Sequence, residues 1–104
     1  MDGEKRQGPR SFAVADVGFD HKDMHFQGRI TDLSDGGLYI DTINPLPEGS
    51  PISFRFGLPG DESECPISGE GQVVWMAHMQ GMGIRFIRMS GDDRDRLKAY
   101  LSRR

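Results

Sequence analysis

Two groups of residues in this 104-residue chain carry side chains that could do chemistry together. Arg6 and Arg10 stand four apart in Arg6-Gln7-Gly8-Pro9-Arg10, and further on comes Asp32-Leu33-Ser34-Asp35-Gly36-Gly37, an Asp-x-Ser-x-x-Gly pattern. The planar fork of arginine pairs bidentately with phosphate oxygens or with guanine O6 and N7, and it can lie flat on a purine. Asp32 can accept hydrogen bonds from a base edge or hold an arginine in place, and Ser34 can donate one. Gly37 removes a Cβ where a broad planar ligand would approach the backbone, and it tolerates positive φ. Lys5 adds a third cation, and Pro9 restricts the segment, which lowers the entropy lost when it orders. Read alone, each half has an ordinary explanation. Charged termini are commonly solvated tails, and Asp, Ser and Gly are the residues of turns.

The weight of the two groups comes from the elements that must position them. Residues 1–11 are polar and interrupted by Gly8-Pro9, which predicts a flexible arm. Strands are expected over Phe12–Phe19 and His25–Leu33, with Asp20-His21-Lys22-Asp23 as the turn between them. Ser34-Asp35-Gly36-Gly37 then turns tightly into a short strand, Leu38–Asp41. After the breaker cluster at 44–49, Ile52, Phe54, Phe56 and Leu58 alternate with Ser53, Arg55 and Gly57, the clearest strand pattern in the chain. Pro59–Pro66 reads as a loop. Ile67–Ala77 reads as a long strand with Val73 and Trp75 on the Ile67 face, and Gly83–Met89 as the last strand. Ser90 is a candidate N-cap with Asp93 as a weak capping-box partner. Leu97, Tyr100 and Leu101 fall on one face of a helix over about 91–102, whose C-terminus Arg103 and Arg104 suit electrostatically. Six antiparallel strands followed by one helix predict a mainly β fold, a small barrel with the helix over one opening. The organisation expected is therefore an arm at 1–11 and one barrel domain at 12–104.

Composition narrows the function. The net charge is −3 with 28% charged residues, an acidic balance that disfavours a general nucleic-acid binder. One cysteine, Cys65, cannot form an internal disulfide, which fits a reducing compartment. The N-terminal residues contain no apolar run of the signal-peptide kind, and no stretch approaches a membrane span. A cytoplasmic protein without membrane insertion is the expectation.

The two motifs, in this order, resemble the ligand signature of PilZ domains, bacterial receptors for the second messenger cyclic di-GMP. Gly71-Gln72-Val73-Val74-Trp75 and Gly83-Ile84-Arg85-Phe86-Ile87 also resemble the family, so the likeness runs from Arg6 to about Leu101. No motif position is substituted. The resemblance implies a six-stranded antiparallel split barrel with a C-terminal helix. It also implies a nucleotide-binding site in which Arg6 and Arg10 grip guanine and phosphate while Asp32 and Ser34 bind from the barrel surface. Gly37 would mostly shape the turn, and Lys5 would help tolerate the charge of a stacked ligand pair. A stand-alone receptor or adaptor follows, without catalysis or a cofactor, that changes its surface to regulate an effector protein of motility, adhesion or exopolysaccharide systems. A PilZ-fold interaction module that works without nucleotide is the alternative. A barrel binding single-stranded nucleic acid is the third reading, and the acidic balance disfavours it.

The remaining reactive residues assemble nothing in the sequence. His21 and His25 stand four apart but flank a turn, and no acidic or cysteine cluster completes a metal site. Cys65 has no activating neighbour. Met76 and Met89 read as core filler, while Met79 and Met82 fit either the core or a partner surface.

Overall fold

A computed structural model describes residues 10–11, 15–58 and 65–102, with Arg10 and Ser11 described by their backbone. The strands are β1 (Arg10–Ser11), β2 (Ala15–His21), β3 (Met24–Ser34), β4 (Gly37–Asp41), β5 (Pro51–Phe56), β6 (Ile67–Ala77) and β7 (Gly81–Met89), followed by helix α1 (Gly91–Ser102). All pairings are antiparallel, in the order β1-β3-β2-β5-β6-β7-β4, and β4 returns to pair with β3. That last pairing closes the six long strands into the expected barrel, which removes the exposed edges an open sheet would carry.

Alternation decides what fills the interior. In β5, Ile52, Phe54 and Phe56 are buried while Pro51, Ser53 and Arg55 are exposed, and Leu58 beyond the strand end is buried as well. Phe19, Ile30, Leu33, Ile40, Ile67 and Val73 meet them from the other strands. Helix α1 closes one end with Leu97, Tyr100 and Leu101. It begins as the sequence predicts: Ser90 Oγ accepts from Asp93 N at 3.1 Å, and Ser90 O accepts from Arg94 N at 2.9 Å. Asp93 serves a different partner from the one the capping box suggests. Its carboxylate accepts from Ser68 N at 3.2 Å and from Arg96 Nη1 at 3.1 Å, so it ties the helix to β6. Arg103 and Arg104 lie outside the described residues.

Several boundaries move, each for a local reason. The chain at 10–11 is paired backbone, with Arg10 opposite Ser34 and Ser11 opposite Leu33, so the arm is already joined to β3 at its last two residues. The first expected strand is described from Ala15 and runs two residues past Phe19: Asp20 and His21 belong to it because His21 pairs with Met24. Only Lys22 and Asp23 remain for the turn, and Lys22 takes φ 58° to satisfy the hairpin twist. The last strand starts two residues earlier than predicted, at Gly81. Trp75 leaves the Ile67 face: a register shift between Val73 and Trp75 spends Val74 as an extra residue, and Trp75 emerges 50% exposed. Met82 is fully buried, Met76 and Met89 pack against the core, and Met79 stands exposed at a turn with φ 62°. Among the described residues no helix is long and apolar enough to cross a membrane.

Candidate ligand-binding site

Cross-strand partners share a face of a sheet, so a barrel surface can be read as rows running across its strands. Leu33 points into the core, which turns its neighbours Asp32 and Ser34 outward. From Ser34 a row runs over the outer surface. Arg10 lies opposite Ser34 on one side, and across the turn Gly37 lies opposite Arg85, which lies opposite Gln72. A parallel row runs from Asp32 to Tyr39, Gly83 and Trp75. Of the sequence-predicted residues, Asp32, Ser34 and Gly37 therefore gather at one place, with the backbone of Arg10 beside them. Lys5 and Arg6 lie outside the described residues.

The turn itself is held by Ser34 and by β7. Ser34 Oγ donates to Gly37 O at 3.2 Å and accepts from Gly36 N at 3.3 Å, while Gly36 O accepts from Phe86 N at 3.0 Å. Ser34 thus makes the local backbone bonds that the turn-chemistry reading of the motif expects. Gly37 also has a reason that its own segment does not show. Its φ is not positive, and a Cβ built there would run into the backbone carbonyl of Ile84. Gly36, by contrast, has nothing within 4 Å of such a Cβ. The glycine at the fixed motif position is the one without room for a side chain.

Around this turn stand groups that the motifs do not contain. Arg85 is exposed, and its Nη2 donates to Gln72 Oε1 at 3.2 Å. Gln72 Nε2 donates in turn to Gly49 O at 3.4 Å, which fixes the amide orientation. Tyr39 and Trp75 flank Gly83, their ring centroids 5.7 Å apart at 42°. Burial, assisted by the Asp41 carboxylate, pushes the Tyr39 phenol above its ordinary value, so it stays a neutral hydroxyl. The outward alternation of Arg85 could be read from the sequence. Its meeting with Gly37 and Gln72 could not, since that needs the order β4-β7-β6. A concavity of about 580 Å³ lies to one side, lined by Asp20, Ser53, Glu70 and Ile87 among others. It meets the row only at Gln72, so Asp32, Ser34 and Gly37 sit outside it, on the outer barrel face.

A second polar cluster lies on β2, β3 and β5. Asp20 Oδ1 is 2.7 Å from His25 Nδ1, and Arg55 Nη1 donates to Asp20 Oδ2 at 3.2 Å. Hydrogen bonds from His25 and then Arg55 hold the Asp20 carboxyl below its ordinary value. His21 Nδ1 lies 2.8 Å from Pro51 O, and among the described residues no three His, Cys, Asp or Glu side chains gather as a metal site needs.

The described residues thus form a closed antiparallel barrel that carries polar, cation-bearing rows on its outer face. Residues 4–103 match the PilZ domain, and the chain belongs to the PilZ domain family, a fold family that binds cyclic di-GMP and acts as a binding or adaptor module. In fold it is similar to the inhibitor of motility MotI/DgrA of Bacillus subtilis, with TM-score 0.83 and 21% identity, covering 94% of this chain and 50% of that one. The chain thus spans half the length of that protein. It is also similar to the PilZ domain of CeSA from a cellulose-synthesizing bacterium, with TM-score 0.66 and 18% identity, covering 89% and 94% respectively. No curated protein matches the chain at the sequence level.

Proposed function

We propose that this PilZ domain is a cyclic di-GMP receptor that regulates a partner protein by changing its surface when the nucleotide binds. The observation that carries the reading is the pairing of Arg10 with Ser34, which joins the two motif halves in one row. Arginines entering from the β1 side would meet phosphate and guanine, with Ser34 and Asp32 receiving the ligand from the barrel. Binding would fasten Arg6 beside Arg10 and present the N-terminal segment to the partner as a new face. Lys5 would add charge where two stacked ligands bring four phosphates. The outputs proposed are motility or polysaccharide control, the settings in which the two structural neighbours are described.

Titration calorimetry with cyclic di-GMP, beside cyclic di-AMP and GTP, tests the reading. Saturable binding of cyclic di-GMP alone is expected, with Arg6→Ala and Arg10→Ala abolishing it and leaving the thermal midpoint without ligand unchanged. Absence of saturable binding in the unmodified protein would sink the receptor and leave the nucleotide-independent interaction module.

A further inference from the structure

We infer that Arg85, which belongs to neither motif, is a third arginine of the site, gripping a ligand phosphate from the side opposite Arg10 and oriented for this by Gln72. The inference rests on the receptor reading above and adds a specific contact to it. Three observations lead to it.

First, Arg85 is in the right row. It lies directly across from Gly37, and Gly37 has no side chain to stand between Arg85 and Ser34. From β1 through β3 and β4 to β7 the row crosses three strand intervals, about 14 Å at the usual spacing. A ligand seated over Ser34 and Gly37 would lie between the backbone of Arg10 at one end of the row and Arg85 at the other.

Second, the charge of Arg85 is not spent. Arg29 faces Asp16 at 4.0 Å, Arg55 faces Asp20 at 3.2 Å and Arg96 faces Asp93 at 3.1 Å. Among the described residues no carboxylate pairs with Arg85, and its partner Gln72 is neutral. An amide holds a guanidinium in place without cancelling its field.

Third, the guanidinium is aimed. Gln72 uses its oxygen on Arg85 and its nitrogen on Gly49 O, so turning the amide over would cost both bonds. Nη2 of Arg85 gives one of its two hydrogens to Gln72, which leaves the second and one neighbouring N–H to fork onto two oxygens of a phosphodiester. An arginine on a paired strand loses little freedom when it binds, unlike one on a terminal segment.

The test is calorimetric titration of cyclic di-GMP into the intact protein and into Arg85→Ala, Arg85→Lys and Gln72→Leu, at about 0.1 M and 0.5 M salt. Arg85→Ala is expected to weaken binding about 10- to 100-fold, the range of one charge-assisted contact. The loss persists at the higher salt, and Arg85→Lys restores it only in part because an ammonium cannot make the two-point contact. Gln72→Leu weakens binding about 3- to 10-fold through loss of aim. If Arg85→Ala lowers the thermal midpoint without ligand, Arg85→Gln replaces it. Wild-type affinity in the alanine or glutamine variant overturns the inference and leaves the receptor standing. A loss that disappears at 0.5 M salt and is fully restored by lysine overturns the direct contact in favour of a general field. No binding by the unmodified protein overturns the receptor reading, and this inference falls with it.

Discussion

Two polar clusters decorate the outside of this barrel, and they use arginine in opposite ways. On β2, β3 and β5, Asp20 gathers His25 and Arg55 to itself over Gly18, so opposite charges are consumed within the cluster. On β4, β6 and β7, Arg85 leans on a neutral amide over Gly37, and its charge remains available. The two glycines differ as well. A Cβ at Gly18 would meet the tip of the His25 ring at 3.2 Å, whereas one at Gly37 would strike the backbone carbonyl of Ile84. Self-neutralised charge over yielding side chains describes a surface that stabilises. Unspent charge over an unyielding backbone is what the proposed site would draw on.

Substituting the glycines breaks the comparison most forcefully. Gly37→Ala must push β4 away from β7 and is expected to cost about 3–5 kcal/mol, enough to unfold a domain of ordinary stability, while Gly18→Ala should cost at most about 1 kcal/mol. Chemical denaturation of the two variants separates them, and equal costs would erase the distinction. A smaller effect is expected at Ser34. Ser34→Ala removes the hydroxyl that bridges Gly36 N and Gly37 O, a loss of about 1–2 kcal/mol in the same assay, together with weakened nucleotide binding. Arg55→Ala should leave nucleotide binding untouched. Smallest is the pH dependence at Asp20. Its carboxyl is depressed below the ordinary 3.8, so the stability it contributes is present above that value and is lost as pH falls through the lower, folded one. The thermal midpoint of Asp20→Asn should therefore lie slightly below wild type at neutral pH, and the gap should close in strong acid. A gap that widens on acidification would contradict the sign.

How much of this was legible beforehand follows from how local each signal is. The alternation from Ile52 to Leu58 depends on neighbours two residues apart, and the structure buries all four apolar side chains. The helix from Gly91 with its Ser90 cap is equally local. Asp32, Ser34 and Gly37 were legible as a group because one turn holds them, although the reason for Gly37 lies on β7 and is invisible in its own segment. Trp75 was misplaced because a single extra residue at Val74 reverses the faces that follow, and no residue type there announces it. Arg85 and Gln72 are thirteen positions apart and meet only through the hairpin between them. Such a meeting exists in the topology and not in any motif.

One hydrogen bond in the turn has a consequence for the order in which the protein is made. Gly36 O waits for Phe86 N, and Gly37 lies against Ile84 and Arg85. When Phe56 emerges from the ribosome both motifs are already outside it, yet the strand they lean on is not. The connection is non-local, and its loop must close before the contact returns anything. A prematurely terminated chain would carry the full sequence signature without the turn that gives it shape. The shape of the turn is thereby tied to completion of β7, so if the proposed receptor reading holds, a fragment ending before that strand does not compete with the finished protein for nucleotide.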